Sequence, residues 1–152
     1  PGVHRLVVAE RAGKLTLSTI SDRGKAGRAM TVSVLLWLLT ALTAKHFLCD
    51  FGLQTAWIAA NKGRWGHPAS VVHSGEHALA TLAVLWVFGL PLPVVAGIAA
   101  VEFAVHYHID CAKDAITRRL GLTTDDRGFW IALGLDQSLH QMTYLVIVTA
   151  VA

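Results

Sequence analysis

The chain has 152 residues, enough for one ordinary domain. It is 54% hydrophobic before its 13 glycines are counted, and only 15% of its residues are charged. Soluble domains average about 45–50% apolar residues with glycine included, and about 25% charged residues. Because a small soluble domain has a large surface to cover with polar groups, this composition argues against a water-soluble domain and favours a protein embedded in lipid. Intrinsic disorder, a coiled coil and a disulfide-stapled secreted domain also fit it poorly.

The formal net charge of +3 does not indicate a nucleic-acid surface, because the basic residues are unevenly placed. Residues 1–29 contain six basic and two acidic residues, whereas residues 30–152 contain seven basic and eight acidic ones. The body of the chain therefore lacks the basic surface that a phosphate backbone requires. We expect membrane lipid as a partner and no nucleic acid. A membrane protein of this size can form a homo-oligomer or belong to a larger membrane complex, and both alternatives stay open.

Two short β-favouring runs lie near the start of the sequence, at residues 4–9 and 14–20, with a glycine-containing turn between them. A basic linker occupies residues 21–29. We therefore predict two regions. Residues 1–29 form a short non-helical segment, either a tail or a hairpin with a linker, and residues 30–152 form a transmembrane domain.

Four long helices are predicted from residue 31 onward, over residues 31–58, 68–88, 93–120 and 128–152. Turn-rich or polar segments separate them. Each helix has 20 or more residues, enough to cross about 30 Å of hydrocarbon. The predicted fold class is all-α, an integral membrane four-helix up-down bundle.

Every predicted helix carries two ionisable residues four positions apart. Such residues are rare in membrane helices, because each costs at least about 2.5 kcal/mol at the bilayer centre. A spacing of four puts both side chains on one helix face, one turn apart. The pairs are His46 and Asp50, His73 and His77, His106 and Asp110, and Asp136 and His140.

The positions of the pairs predict that they meet. They lie late in the first and third helices and early in the second and fourth, so an up-down arrangement brings all four to the same membrane face. One layer then contains His46, His77, His106 and His140, and the next contains Asp50, His73, Asp110 and Asp136. Residues 44–50 also resemble residues 104–110, and the second and fourth pairs follow at a similar offset. This internal similarity predicts two helical-hairpin repeats.

Five imidazoles and three carboxylates in two layers suit a divalent transition metal such as Zn²⁺, Fe²⁺ or Mn²⁺. A Ca²⁺ or Mg²⁺ site would be richer in oxygen. Eight ligands are enough for one or two ions. Glu76 and Glu102 are candidates for a general base beside a metal-bound water, and Lys113, Asp114 and Gln137 extend or flank the polar stripes.

Other interpretations of these pairs stay open. A network of His–Asp bonds could simply hold the helices together, and histidines on facing helices could ligate haem, although carboxylates in the same layers disfavour it. For function, we weigh a metal-binding membrane protein that hydrolyses a lipid-linked or phosphate-bearing substrate, a metal or proton transport subunit, and a structural or partner-binding subunit. A conduit needs polar residues that continue to the far face, and none follows beyond Glu102.

Three motifs carry a resemblance to a known family. They are HFLxDFxLQ at residues 46–54, HxxxDxxK at 106–113 and DQxxH at 136–140. The sequence resembles an uncharacterised family of small bacterial and phage integral membrane proteins, a domain of unknown function. The resemblance implies a multi-pass protein of the bacterial inner membrane and implies no particular activity. Basic residues in the loops at the site-bearing end favour the cytoplasmic half for the site.

Overall fold

The computed structural model of the protein describes residues 6–11, 14–19 and 30–152. Strands β1 (Leu6–Arg11) and β2 (Lys14–Thr19) pair antiparallel, with Leu6 opposite Thr19. The pair corresponds to the two predicted β-favouring runs. The linker predicted at residues 21–29 lies outside the described residues.

Residues 30–152 are helical apart from short connections, as the composition and the apolar runs predict. The last three helices begin and end within one residue of the predicted bounds. The elements are α1 (Val32–Phe47), a π-helical turn (Leu48–Leu53), α2 (Ala56–Asn61), α3 (Pro68–Val87), α4 (Leu92–Arg119) and α5 (Arg127–Val151).

The prediction of one continuous helix over residues 31–58 was wrong. Gly52 weakens a helix interior because it loses more backbone freedom than any other residue. Three residues later the Thr55 hydroxyl accepts a hydrogen bond from the Ile58 backbone N–H at 3.2 Å and caps a new helix. The chain therefore turns after the π-helical segment, and α2 packs against α3.

The four long helices pack side by side: α1 contacts α3 and α5, and α4 contacts the same two helices. At the end that contains the α3–α4 turn, the interior is an apolar core that includes Leu38, Leu42, Leu85 and Val95. Elsewhere the interior is polar. Within residues 30–152, 14 buried residues are apolar and 14 are polar or charged.

The outer surface shows the opposite pattern. In residues 30–152, 27 large hydrophobic side chains are exposed, and such an extent of apolar surface marks contact with a membrane or another protein. Two segments, Val32–Leu53 and Leu92–Arg119, are long and apolar enough to span a membrane. The predicted four crossings stay a prediction.

The loop between α2 and α3 lies directly on α4. Gly63 has a φ of +93°, and a Cβ at this position would lie 2.8 Å from the Asp110 carbonyl oxygen and 2.7 Å from the Asp114 Cβ. Only glycine fits both the left-handed backbone and this close approach. Further along the loop, the His67 imidazole caps α3 by accepting a hydrogen bond from the Ala69 N–H at 3.1 Å. The loop is thus fixed at both ends, and it carries Lys62.

Gly63→Ala is expected to lower the thermal unfolding temperature more than Gly66→Ala. Both glycines have positive φ, +93° and +75°, so alanine at either position costs about 1–2 kcal/mol of backbone strain. At Gly66 a Cβ would meet no atom within 4 Å, whereas at Gly63 it collides with α4, adding about 1–3 kcal/mol. Circular dichroism of both variants during heating in detergent measures the difference. Equal losses would contradict the close contact between loop and α4.

Candidate metal centre

All eight predicted ligands lie in the interior. Each is at most 7% exposed, and His73 and His77 are fully buried. They come from α1, the π-helical turn, α3, α4 and α5. The pairs that are separate in sequence therefore share one region between the helices, at the end that carries the α2–α3 loop.

Four imidazoles form one layer. The His77 and His106 ring centroids lie 3.9 Å apart, and those of His106 and His140 lie 4.1 Å apart. His46 completes the layer, with its ring centroid 4.9 Å from that of His77 and 5.0 Å from that of His140. This is the layer that the order of the pairs predicts.

Asp50 belongs to the second predicted layer, and its carboxylate contacts two imidazoles. One of its carboxylate oxygens lies 3.2 Å from His46 Nε2, and the other lies 3.1 Å from His73 Nε2. The π-helical turn carries Asp50, and such turns occur frequently at functional sites. Asp50 thus joins the imidazoles of α1 and α3.

Asp110 lies between imidazoles from three helices. Its Oδ2 atom is 3.6 Å from His73 Nε2 and 3.5 Å from His106 Nε2. Its Oδ1 atom is 3.4 Å from His140 Nε2, on the opposite side. Asp110 Oδ2 therefore faces His73 and His106, whereas Oδ1 faces His140.

Three groups of side chains have a geometry that could hold a metal ion, with ligand atoms within 4.8 Å of one another. The second and third groups share no residue, so they could be occupied together. The groups are His46, His106 and His140; His73, His77 and His106; and Asp110, Asp136 and His140.

Two of these imidazoles make only long contacts with carboxylates: His106 Nε2 lies 3.5 Å from Asp110 Oδ2, and His77 Nε2 lies 3.7 Å from Asp50 Oδ1. Within the described chain, neither ring nitrogen of His77 or of His106 has a hydrogen-bond partner, although the two residues are at most 1% exposed. A buried polar group without a partner costs about 1–3 kcal/mol, and the great majority of buried polar groups are bonded. A neutral imidazole has a lone pair on only one ring nitrogen, so a bound metal ion would satisfy one nitrogen of each ring.

Lys62 was not predicted to take part in this region. Its Nζ donates to Asp50 Oδ1 at 2.6 Å and lies 3.1 Å from His73 Nε2. The residue reaches Asp50 because the chain turns back after the π-helical segment. A single straight helix to residue 58 would direct the following loop away from Asp50. The sequence therefore offered no signal for this contact.

Lys45 and Tyr144 were also missed. The Lys45 ammonium pairs with Glu102 and donates to the His77 carbonyl oxygen at 3.1 Å. The Tyr144 hydroxyl lies 2.8 Å from His46 Nδ1. The sequence did contain a signal for the Lys45–Glu102 pair. A lysine and a glutamate in apolar helices each need a partner, and each lies within one turn of a predicted histidine.

The remaining predicted neighbours have different positions. Glu76 Oε2 lies 3.9 Å from His73 Nδ1, at the edge of the centre. Glu102 lies one turn deeper than the imidazole layer, and acting as a base would require it to lose Lys45. Gln137 bridges His46 and Asp50, with Oε1 3.2 Å from His46 Nε2 and its amide donating to Asp50 at 3.3 Å. Asp114 lies apart, paired with Arg118 at 2.7 Å.

Residues 38–152 match the model of a family described as a protein of unknown function, DUF3307. The chain belongs to this family. The matched range contains all eight predicted ligands together with Lys45, Lys62 and Tyr144. No curated protein and no solved structure is detectably similar to the chain.

Lys45→Met is expected to destabilise the protein by about 3–5 kcal/mol, because it leaves the buried Glu102 carboxylate without its partner. The double variant Lys45→Met with Glu102→Leu should recover most of this loss, since it removes both charges. Denaturant unfolding in detergent compares the two with each single variant. Losses that simply add in the double variant would contradict a coupled buried pair.

Proposed function

We propose that the protein is a multi-pass protein of the bacterial inner membrane that binds one or two divalent transition metals, Zn²⁺, Fe²⁺ or Mn²⁺, between its long helices. The membrane location is supported by the apolar outer surface and by the two candidate spans. In lipid, helices satisfy their own backbone groups, so polar side chains can be collected inside while apolar ones face outward.

The observation that carries the metal proposal is a pair of buried imidazoles whose ring nitrogens make no hydrogen bond within the described residues. His77 and His106 belong to the same three-histidine group, whose nitrogens lie within 4.8 Å of one another. Three imidazoles are the donor set of a zinc site that keeps a fourth position open. A network that only holds helices together would be expected to pair its buried nitrogens.

Charge supports the same proposal. The three aspartates of the centre face one ammonium, that of Lys62, which leaves a formal charge of −2 when the imidazoles are neutral. Buried charge without compensation is strongly unfavourable. One divalent cation restores neutrality, and a second would leave a formal charge of +2 that an anionic ligand, such as the phosphate of a substrate, would offset.

The geometry favours two ions over one. The group of His73, His77 and His106 shares no member with the group of Asp110, Asp136 and His140. Asp110 faces both groups, so it is suited to bridge two ions. Paired metals held by facing helices in this way are common in four-helix proteins, at separations of about 3.5–4 Å where the metals act together.

The reaction that we propose for this centre is hydrolysis of a lipid-linked or phosphate-bearing substrate. A bound divalent metal lowers the pKa of a water ligand and stabilises charge on phosphoryl oxygens. Glu76 is the better placed of the two predicted bases, because it lies near His73 and its side chain is 28% exposed.

A metal or proton conduit is less well supported. Along the bundle interior, the buried polar groups in the described residues continue from the aspartates through the imidazoles to Lys45, Thr81 and Glu102. Beyond them lies the apolar core that contains Leu38, Leu85 and Val95. A centre with one mouth suits binding and catalysis, whereas transport requires a polar route to the far side.

Elemental analysis of detergent-purified protein tests the proposal. The wild type is expected to retain one or two equivalents of metal per chain. His106→Ala and the milder His106→Gln should lose at least one equivalent, because His106 belongs to two of the three groups. His108→Ala is the matched control, since His108 lies on the same helix, is exposed and packs against Trp65.

Retention of helical content and of a single gel-filtration peak establishes that each variant is folded. A folded wild type that binds no metal when Zn²⁺, Fe²⁺ or Mn²⁺ is supplied would contradict the proposal and favour the purely structural network. Equal metal loss in His106→Ala and His108→Ala would contradict the assignment of the ligands.

A further inference from the structure

A groove runs along the outside of the protein between α4 and α5. Its volume is about 570 Å³, within the range of about 300–1,000 Å³ that is typical of small-molecule sites. Side chains such as Ile116, Leu120, Ile131 and Leu135 make most of its wall apolar. Asp136, a member of one candidate metal group, lines the same groove. One residue of the candidate metal centre therefore borders the groove.

One cation in the groove has no matching anion. Lys113 lines the groove and is half-buried, yet no carboxylate oxygen within residues 30–152 lies within 4.0 Å of its ammonium group. The two other lysines that reach the interior, Lys45 and Lys62, each pair with a carboxylate. A half-buried ammonium in apolar surroundings is unfavourable unless an anion accompanies it.

The combination of an apolar wall and one unmatched cation describes the chemistry of an anionic lipid. We propose that the groove binds the hydrocarbon chain of a lipid whose headgroup phosphate contacts Lys113. This inference rests on the proposed membrane function and specifies its substrate class, because a phosphate on Lys113 occupies the groove that Asp136 lines. A second protein copy would match the apolar wall, but it would not explain a half-buried lysine without a carboxylate partner in that wall.

The position of Lys113 on α4 fits this role. It follows Asp110 by three residues, so both side chains lie on neighbouring parts of one helix face. Asp110 points inward to the imidazoles, whereas Lys113 lines the groove. The lysine of the HxxxDxxK motif thereby acquires a function distinct from that of its histidine and aspartate.

Photo-crosslinking in nanodiscs tests the proposal with the full chain. The nanodiscs contain phosphatidylcholine and a trace of phosphatidic acid with a diazirine on its acyl chain, and a parallel sample contains the same label on phosphatidylcholine. Mass spectrometry locates the labelled residues. We expect labelling between residues 109 and 139, with phosphatidic acid preferred over phosphatidylcholine.

Two variants and two matched controls define the site. Lys113→Gln should lower the preference for phosphatidic acid by roughly fivefold, the effect of one basic side chain on an anionic lipid. Ala132→Phe should abolish labelling with both probes, because Ala132 lines the groove and a phenyl ring would fill it. Arg119→Gln and Ala100→Phe change exposed positions on α4 outside the groove wall, and should leave labelling unchanged.

Three results would overturn the proposal: equal labelling of the wild type by both lipids, groove labelling that survives Ala132→Phe, or cross-links between two protein copies in place of lipid. Metal content measured on the same samples separates this inference from the proposed function. Lipid labelling without metal would contradict the metal centre and leave the groove supported. Metal without groove labelling would contradict the lipid site alone.

Discussion

The structure depends on one constraint: ionisable side chains buried inside an apolar shell must find partners among themselves. Lys45 and Glu102 pair at the deep end of the polar region, above the apolar core. Lys62 covers Asp50 at the other end. Between these two pairs, in the described part of the chain, His77 and His106 are buried and their ring nitrogens make no hydrogen bond. Lysines neutralise a carboxylate at each end of the polar region. The imidazole nitrogens that could bind a metal ion therefore lie between these two ion pairs.

The same constraint explains the irregular part of the chain. A straight helix to residue 58 would carry the following loop away from Asp50, whereas the π-helical turn and the Thr55 cap bring Lys62 back onto it. The contact between Gly63 and α4 holds the loop there. Departures from regular helix thus occur where a buried carboxylate is paired with an ammonium group, and they cover the centre on the side of the loop.

The sequence was sufficient to predict which histidines and aspartates face inward. Spacing of four residues determines a shared helix face, and the alternating direction of the helices determines depth, so both follow from chain order. The sequence was not sufficient for contacts set by tertiary geometry. The hydroxyl of Tyr144 and the ammonium of Lys62 reach the centre from positions that no periodicity marks, and the break after Leu53 depends on competition between a helix and a capping side chain.

X-ray absorption spectroscopy of the purified, metal-loaded protein tests the central claim most directly. The account predicts nitrogen and oxygen ligands at about 2.0–2.2 Å with the multiple scattering of imidazole, and, with two ions bound, a metal–metal distance of about 3.5–4 Å. A shell of oxygen ligands without imidazole scattering would contradict it, because the metal would then lie outside the histidine layer. A sulfur shell at about 2.3 Å would contradict it equally, since it would assign the metal to Cys49 or Cys111.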